Sequence, residues 1–570
     1  ASNRIAIVLD DKVISSPGIV PEMCQSGGGN ATSITGDFTF ESANDLAVLI
    51  KGGALPVPVK IIDQRTVGPT LGAAAIDASI EASIIGLVLT GLFIIFAYRL
   101  IGIAATIGLA SYALISYGLL VWIGATLTLP GLAGFVLAIG LAIDANVLVF
   151  ERAKEEYAQT PQAGLAPALQ TGFNKAWSAI LDSNVTTVLA AVLLFFLAAG
   201  PVKGFGVTLT IGTIASMFSA LVVTRVIAEW VIRWKFFRNR PALSGIAGEN
   251  RLRNALVERG PNLMARAKTW LVITVVVAGA SIAGIVGGVN LGVEFTGGRI
   301  LEFTTAKTVD VEEVRTAVSD AGFPTAVVQA SSGDGINENI SVRTGKISEA
   351  EAGEIRDAVA TVGGKTKQLK SDSIDPTLGK ELRDKALLAF AIAIGAQMIY
   401  LAWRFRWTWA VSAIVSLTSV VLTVVGIFAW WDKPIDGVFL AAILSIIGLA
   451  VNDTIVVFDR IREELHGTKA DNLRATVNEA ILATLPRTIN TGIGALFILG
   501  ALAFLGGDSL MDFSLALIFG LVIGTFSTIF TASSLAVLLE ERWPVNPNKK
   551  RKVVDPYAHV DDGRNSGAVI

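Results

Sequence analysis

The sequence predicts a mostly α-helical membrane protein. Two parallel, pseudo-symmetric helical halves cross the bilayer several times, and small α+β domains of ferredoxin-like order lie outside it. Three observations carry this prediction. Of the 570 residues, 52% are hydrophobic and only 16% are charged, against roughly 25% charged in an average soluble chain. The charge is gathered into two polar blocks, a junction and a tail, with long apolar stretches between them. Two sets of motifs also recur in the same order in both halves.

The apolar stretches come first. A membrane-spanning helix needs roughly 20 mostly apolar residues. By that measure the first half holds the spans Ile80–Tyr98, Ile101–Trp122, Leu132–Phe150, Ala179–Ala199 and Phe205–Val231. The second half holds Trp270–Val289, Ala386–Trp403, Trp407–Trp431, Val438–Phe458, Thr488–Leu505 and Phe513–Leu539. Basic residues cluster after every second span, at Arg99, at Arg152 and Lys154, and at Arg233, Lys235, Arg238 and Arg240. The second half continues with Arg266 and Lys268, Arg404 and Arg406, Arg460 and Arg462, and Lys549, Lys550 and Arg551. Positive charge marks the cytoplasmic side, so the polar blocks 1–70 and 290–380 are expected outside it.

Both outer blocks read as mixed α and β. In the first, 3–9 alternates like a strand, Phe40–Leu55 has a helical pattern, and Val57–Ile62 returns as a strand. The second runs Ile300–Thr304, helix Val309–Ala321, Ala326–Ala330, Ile340–Arg343, helix Ser348–Val362 and Thr366–Leu369. That order, βαββαβ, is the ferredoxin-like split unit. Segment 236–269 is polar, basic and Gly/Pro-containing, and reads either as a cytoplasmic connection between the halves or as a boundary between two originally separate chains.

The repeat ties the halves together. TVGPTLG at 66–72 matches SIDPTLG at 373–379, each just before the first span that follows its polar block. LAIDANVLVFERAKEE at 141–156 matches LAVNDTIVVFDRIREE at 449–464 without a gap. Both copies end a span running in the same direction, so the repeats are parallel, related by an axis along the membrane normal. The alignment sets Asp144 against Asn452 and Ala145 against Asp453. The two acids are thus offset by one helical position, about 100° around the axis.

Asp144 and Asp453 carry the chemistry the sequence suggests. An ionised aspartate near the bilayer centre costs several kcal/mol, so such residues face a bundle interior and are functional candidates. Two acids at nearly equivalent repeat positions argue against a merely structural carboxylate. Arg487, in LPRTINTG, begins the next span and can either reach the pair as a switchable counter-ion or snorkel to the headgroups. Asn146, Asn452, Thr454, Asp182, Asn184 and Asn490 are candidates to line the same polar path. Glu151, Asp459 and Glu463 read as solvated helix ends, and Trp407, Trp430 and Trp431 as interfacial anchors.

Other chemistry is not supported. A net charge of −2 points away from nucleic acid. One cysteine, Cys24, permits no intrachain disulfide. The two histidines, His466 and His559, lie outside the apolar runs, so a proton path would use carboxylates. No P-loop, HExxH or Cys/His cluster occurs. No ATPase or hydrolase site and no cofactor is therefore expected, with protons as the coupling ion. The chain starts with Ala inside a polar block, so an upstream part of the natural protein is expected to be missing.

These motifs resemble the bacterial SecD/SecF family. The SecD-like half shows AIVLDDKVISSP at 6–17, FTFESANDLAVLIKGGALPVPVKI at 38–61, VGPTLG at 67–72, DANVLVFER at 144–152 and LDSNVTTV at 181–188. The SecF-like half shows VEFTGGRILEF at 293–303, DPTLGKELRDKALLA at 375–389, NDTIVVFDRIRE at 452–463 and PRTINT at 486–491. The resemblance implies a protein-export factor of the RND superfamily, driven by the proton-motive force beside the SecYEG channel and the SecA motor, with YajC and YidC as further candidate partners. It implies that Asp144, Asp453 and Arg487 are proton-path residues, and that the translocating polypeptide is handled outside a bacterial cytoplasmic membrane. It divides the chain into 1–70, the end of a SecD-like outer domain, and 71–235, a SecD-like membrane half. The junction 236–269 and a first SecF-like span 270–289 follow. The SecF-like part continues as outer domain 290–380 and spans 381–540, with a tail at 541–570. The substrate-capturing head of the SecD-like outer domain is expected to be missing. Glu294 stands where the family often has Asp. Two rivals remain at this level. A proton-driven small-molecule or lipid exporter would need far larger outer domains, and a passive scaffold would make Asp144 and Asp453 dispensable.

Overall fold

Helix starts are written into the repeated PTLG motif. Proline at the first helical position has no N–H to leave unpaired and a φ already set for the helix. Pro69 and Pro376 accordingly open two long helices, behind Gly68 and Asp375 as N-caps. In the computed structural model the described residues are 7–9, 12–16, 18, 34, 37–53, 62–197, 202–236, 240–247, 260–331, 339–467 and 473–543.

Residues up to Ile62 form a unit of their own. It holds an antiparallel pair, β1 (Ile7–Leu9) and β2 (Lys12–Ser15), and helix α1 (Phe40–Gly53). Thr39 caps α1 by accepting from the Ser42 amide at 3.2 Å. The strand expected at 57–62 falls mostly outside the described residues.

The membrane helices follow. They are α2 (Pro69–Trp122), α3 (Leu129–Gln159), α4 (Leu165–Leu197) and α5 (Val202–Ile232) in the first half, and α6 (Ala267–Gly287) in the second. After the second polar block come α9 (Pro376–Arg404), α10 (Trp407–Trp430), α11 (Gly437–Gly467), α12 (Leu473–Leu505) and α13 (Leu510–Arg542). Straight, the 54 residues of α2 would extend about 81 Å, far beyond the ~30 Å hydrocarbon core. The chain instead reverses at Arg99, whose φ of 52° and ψ of −122° are not helical. Thr106 Oγ1 therefore lies 3.3 Å from the carbonyl of Gly91, a contact impossible in one straight rod. With that reversal, the ten apolar helices long enough to span a membrane supply eleven crossings among the described residues, five then six.

Between α6 and α9 the chain builds a sheet domain. Its elements are β4 (Gly298–Thr305), α7 (Val311–Asp320), β5 (Val327–Ser331), β6 (Asn339–Thr344), α8 (Glu349–Gly363) and β7 (Thr366–Ile374). The strand alternation of β4 and β6 buries Leu301, Phe303, Ile340 and Val342 against Val314, Val318, Ile355 and Val359 of the two helices. The helix starts are capped by Asp310 and by a reciprocal Ser348–Glu351 box. A fifth strand, β3 (Asp63–Val67), comes from the first half and pairs antiparallel with β7, giving the order β3-β7-β4-β6-β5. The expected four-stranded βαββαβ unit is thus completed by a strand 300 residues distant in sequence, which local pattern could not reveal.

The pseudo-symmetry is visible atom by atom. Arg152 pairs with Glu463 at 2.8 Å, and its repeat partner Arg460 pairs with Glu155 at 3.3 Å. Thr90 donates to the carbonyl of Gly494 and Gln397 to that of Thr186, each at 3.1 Å. A π-helical turn interrupts α5 at Ser219–Thr224 and α13 at the corresponding Ser527–Ala532. Each half thus reaches across to the other with the same set of contacts.

Candidate functional site

α3 and α11 are the innermost helices. Each has 78% of its apolar window buried against other helices, against 11–56% for the rest. Their sequences are apolar around most of the circumference because no side faces lipid or water, as expected for a central helix. A polar side chain on either one must find its partner inside the bundle.

Asp144 accepts four hydrogen bonds from three residues. Arg487 Nη2 donates to its Oδ1 at 2.6 Å and to its Oδ2 at 2.9 Å. Asn452 Nδ2 donates to Oδ2 at 2.9 Å, and Thr491 Oγ1 to Oδ1 at 3.2 Å. Asp144 comes from α3, Asn452 from α11, and Arg487 and Thr491 from α12, one turn apart on the same face. Pro486 lies immediately before Arg487 inside α12 and removes one backbone hydrogen bond there. Arg487 is only 3% exposed, so it does not snorkel. It is the buried counter-ion of Asp144. The contact between Asp144 and Asn452 joins the two residues that the repeat makes equivalent.

Asp453 is the next residue on α11. It lies within electrostatic reach of both Arg487 and Asp144, yet makes no hydrogen bond or ion pair to a described residue. The direct cross-axis partner of Asp144 is therefore the amide and not the second acid. The site holds unused capacity: Arg487 Nε and Nη1 and Asn452 Oδ1 are buried with no hydrogen-bond partner among the described residues. Beside them is a cavity of ≈ 20 Å³, lined by Asp144, Ser183, Asn184, Thr187, Asn452 and Arg487. That is room for about one water molecule.

The remaining candidates fall in different places. Asn184 lines the cavity, while its Nδ2 donates back to the carbonyl of Ile180 at 2.7 Å. Asp182 does not reach the centre. It binds Arg404 Nε at 2.6 Å and accepts from the Tyr400 hydroxyl at 2.9 Å, in a cluster that includes Asp459. Thr454 faces the π turn of α13, with its hydroxyl 2.9 Å from that of Thr528. Asn146 is buried on α3 about 200° from Asp144, which turns it away from the cavity. Asn490 donates to the Tyr98 hydroxyl at 2.9 Å, and Tyr98 donates to Glu151 at 2.8 Å.

Of the three residues expected as solvated helix ends, Glu463 is exposed as expected while Glu151 and Asp459 are mostly removed from water, and all three are bound. Glu151 accepts from Tyr98 and Lys154, Asp459 from Arg404, and Glu463 from Arg152 and Arg460. The two copies of the FER/FDR motif meet across the axis there, so their charges pair with one another before they meet water. Trp407, Trp430 and Trp431 are exposed at helix ends, as interfacial anchors are. Thr491, Tyr98, Thr90 and Gln397 were not singled out from sequence. The available signal was that each is a polar group inside an apolar run.

Comparison with known proteins points one way. A model of the SecD/SecF C-terminal protein-export membrane region matches residues 54–234 and 354–542. The SecD/SecF GG motif matches 282–309. A model of the SecDF P1 head subdomain matches 1–57. The protein translocase subunit SecDF of Thermus thermophilus is 36% identical over 548 residues, covering 95% of this chain and 71% of that protein. That of Bacillus subtilis is 31% identical, covering 92% and 72%. The crystal structure of SecDF from Thermus, described as a translocon-associated membrane protein, superposes with a TM-score of 0.78 at 34% identity, over 95% of this chain and 72% of that one. SecDF in its super-membrane-facing form gives 0.66 at 35% identity over the same shares. With the repeat, the eleven crossings and the sheet domain in agreement, the chain belongs to the SecD/SecF family of protein-export membrane proteins.

Proposed function

We propose that this protein uses the proton-motive force to promote late steps of Sec-dependent protein export across a bacterial cytoplasmic membrane. Its partners in this reading are the SecYEG channel, SecA, YajC and YidC, together with the emerging polypeptide. The sheet domain and the N-terminal unit lie outside, where that polypeptide arrives. The single observation that carries the proposal is the Arg487–Asp144 ion pair, buried at the contact of the two halves and bound on its other side by Asn452.

Charge balance gives the mechanism. The site holds one guanidinium and two carboxyls, so it is neutral when one carboxyl carries a proton. Asp144 has the guanidinium, and in this reading the proton is held by Asp453. A proton delivered to Asp144 breaks its ion pair. The unpaired Nε and Nη1 of Arg487 then turn to Asp453, which releases its proton on the other side. One proton moving down about 100 mV supplies about 2.3 kcal/mol. That amount biases two conformations of a bundle, although it does not unfold a substrate.

The test compares Asp144→Asn, Asp453→Asn and Arg487→Ala in a protein-secretion assay with the membrane potential on and off. The expected result is loss of the potential-dependent part of export in all three. Full potential-dependent export in all three overturns the proposal.

A further inference from the structure

We infer that Glu294 is a positioning residue: its carboxylate is the latch through which the sheet domain holds the helix that carries Asn452 and Asp453. The inference rests on the proton-site reading above and deepens it.

Glu294 sits on one helical turn, Val293–Thr296, just ahead of the glycine pair that opens β4. Its two oxygens serve different parts of the fold. Oε2 accepts from the Gly437 amide at 2.6 Å, the first amide of α11. Oε1 accepts from Arg65 Nη1 on β3 at 2.8 Å. The Arg65 and Glu294 side chains are 24% and 19% exposed, mostly removed from water. A helix start leaves its first amides unpaired and carries partial positive charge, so a carboxylate is the group suited to it. Asp436 takes another of those amides, accepting from Phe439 at 2.8 Å.

The same short segment is fastened on every side. Gly292 donates to Ile435, and Ile435 donates to Asn290, at 2.9 and 2.8 Å. Arg343 of β6 donates to Asn290 Oδ1 at 2.5 Å and to the Leu291 carbonyl at 3.0 Å. Gly297 has φ +72°, and a Cβ there would lie 2.4 Å from Pro376 Cα at the start of α9. β3, β6, α9 and α11 therefore meet at one turn. Asn452 lies about 22 Å further along the same helix. A shift of α11 that moves Asn452 off Asp144 must move Gly437 against Glu294. The reverse holds by linkage: a domain movement that pulls Glu294 acts on the proton site.

The experiment is backbone hydrogen exchange of residues 437–440 in the full-length protein. Asp144→Asn is introduced alone, and together with Glu294→Ala, Glu294→Gln or Gly437→Ala. A Cβ at Gly437 would lie 2.1 Å from Glu294 Oε2, the mobile tip of a flexible side chain, so Gly437→Ala displaces the carboxylate with the backbone kept. In the native background, Asp144→Asn is expected to change exchange at 437–440 about fivefold or more. With Glu294→Ala or Gly437→Ala the response disappears. With Glu294→Gln part of it returns, because the amide oxygen still accepts from Gly437. A response of equal size without the carboxylate, or no response in the native background, overturns the latch. Export separates the two ideas: if Asp144→Asn abolishes potential-dependent export while the exchange response ignores Glu294, the proton site stands and the latch falls.

Discussion

Arg487→Ala is the sharpest perturbation of the site. It removes two of the four hydrogen bonds to Asp144 and the guanidinium with them, leaving Asn452 and Thr491. Removing one partner of a buried pair costs about 3–5 kcal/mol when the other charge stays. The escape is for Asp144 to keep a proton. The potential offers only about 2.3 kcal/mol per proton at 100 mV, less than the cost of ionising the orphaned acid. The proton therefore stays, and cycling stops. The assay is potential-driven proton uptake in proteoliposomes, read beside the yield of folded protein in the membrane. Arg487→Ala is expected to lower uptake at least tenfold, about 1.4 kcal/mol or more in rate terms. Asp144→Asn combined with Arg487→Ala is expected to match Arg487→Ala in folded yield, because the retained proton already leaves no unpaired charge, while uptake stays lost. Native uptake by Arg487→Ala would refute the reasoning, because the ion pair would then be packing alone.

Three further outcomes follow from the same contacts. Ser348→Ala breaks the reciprocal cap of α8 and is expected to cost the sheet domain about 1 kcal/mol, measured by thermal or denaturant unfolding. Gly298→Ala places a Cβ 2.3 Å from the Thr344 carbonyl at φ +120°; it is expected to destabilise the β4–β6 pairing and to loosen the α9 and α11 contacts, read by hydrogen exchange. The carboxyl of Asp436, just ahead of the span, is pushed up to about 6 by burial and by neighbouring Glu294, with the Phe439 amide and Lys370 opposing and Asp512 adding to the rise. A raised carboxyl pKa means that the folded state takes up a proton before the unfolded state does. The α11 start should therefore tighten as pH falls through about 6, with the gain complete near pH 4, the ordinary aspartate value. Slower exchange at 437–440 on acidification checks this, and Asp436→Asn should remove the pH dependence.

Much of this architecture was legible in the chain. Pro69 and Pro376 marked the helix starts, and each apolar run became a crossing. The reversal at Arg99 was implied by a charged residue inside a stretch too long for one span. The gapless repeat also gave the one-position offset of the two acids. What it could not give was partner choice. A two-fold axis between α3 and α11 brings equivalent positions together, so the contact of Asp144 falls on Asn452, while the eye was drawn to the acid beside it. Arg487 was visible, but its depth was not, because the same residue at a span end can snorkel or turn inward. β3 was hidden for a different reason: strand pairing across 300 residues leaves no local trace. The burial of Glu151 and Asp459 left no local trace because Tyr98 and Arg404, which bind them, sit on other helices. The π turns, SALVVT and STIFTA, carry no periodic signal.

The central claim is that one guanidinium and two carboxyls share one proton, and it can be counted directly. Infrared spectroscopy of the carboxylic C=O stretch, in isotope-labelled full-length protein and well above the pH at which Asp436 gains its proton, reports how many buried acids are protonated. Charge balance predicts one such band in the native protein, lost in Asp144→Asn and equally in Asp453→Asn, because either change leaves one acid for one arginine. It predicts two in Arg487→Ala. A native spectrum without the band, or a band that survives both single substitutions, would contradict the account.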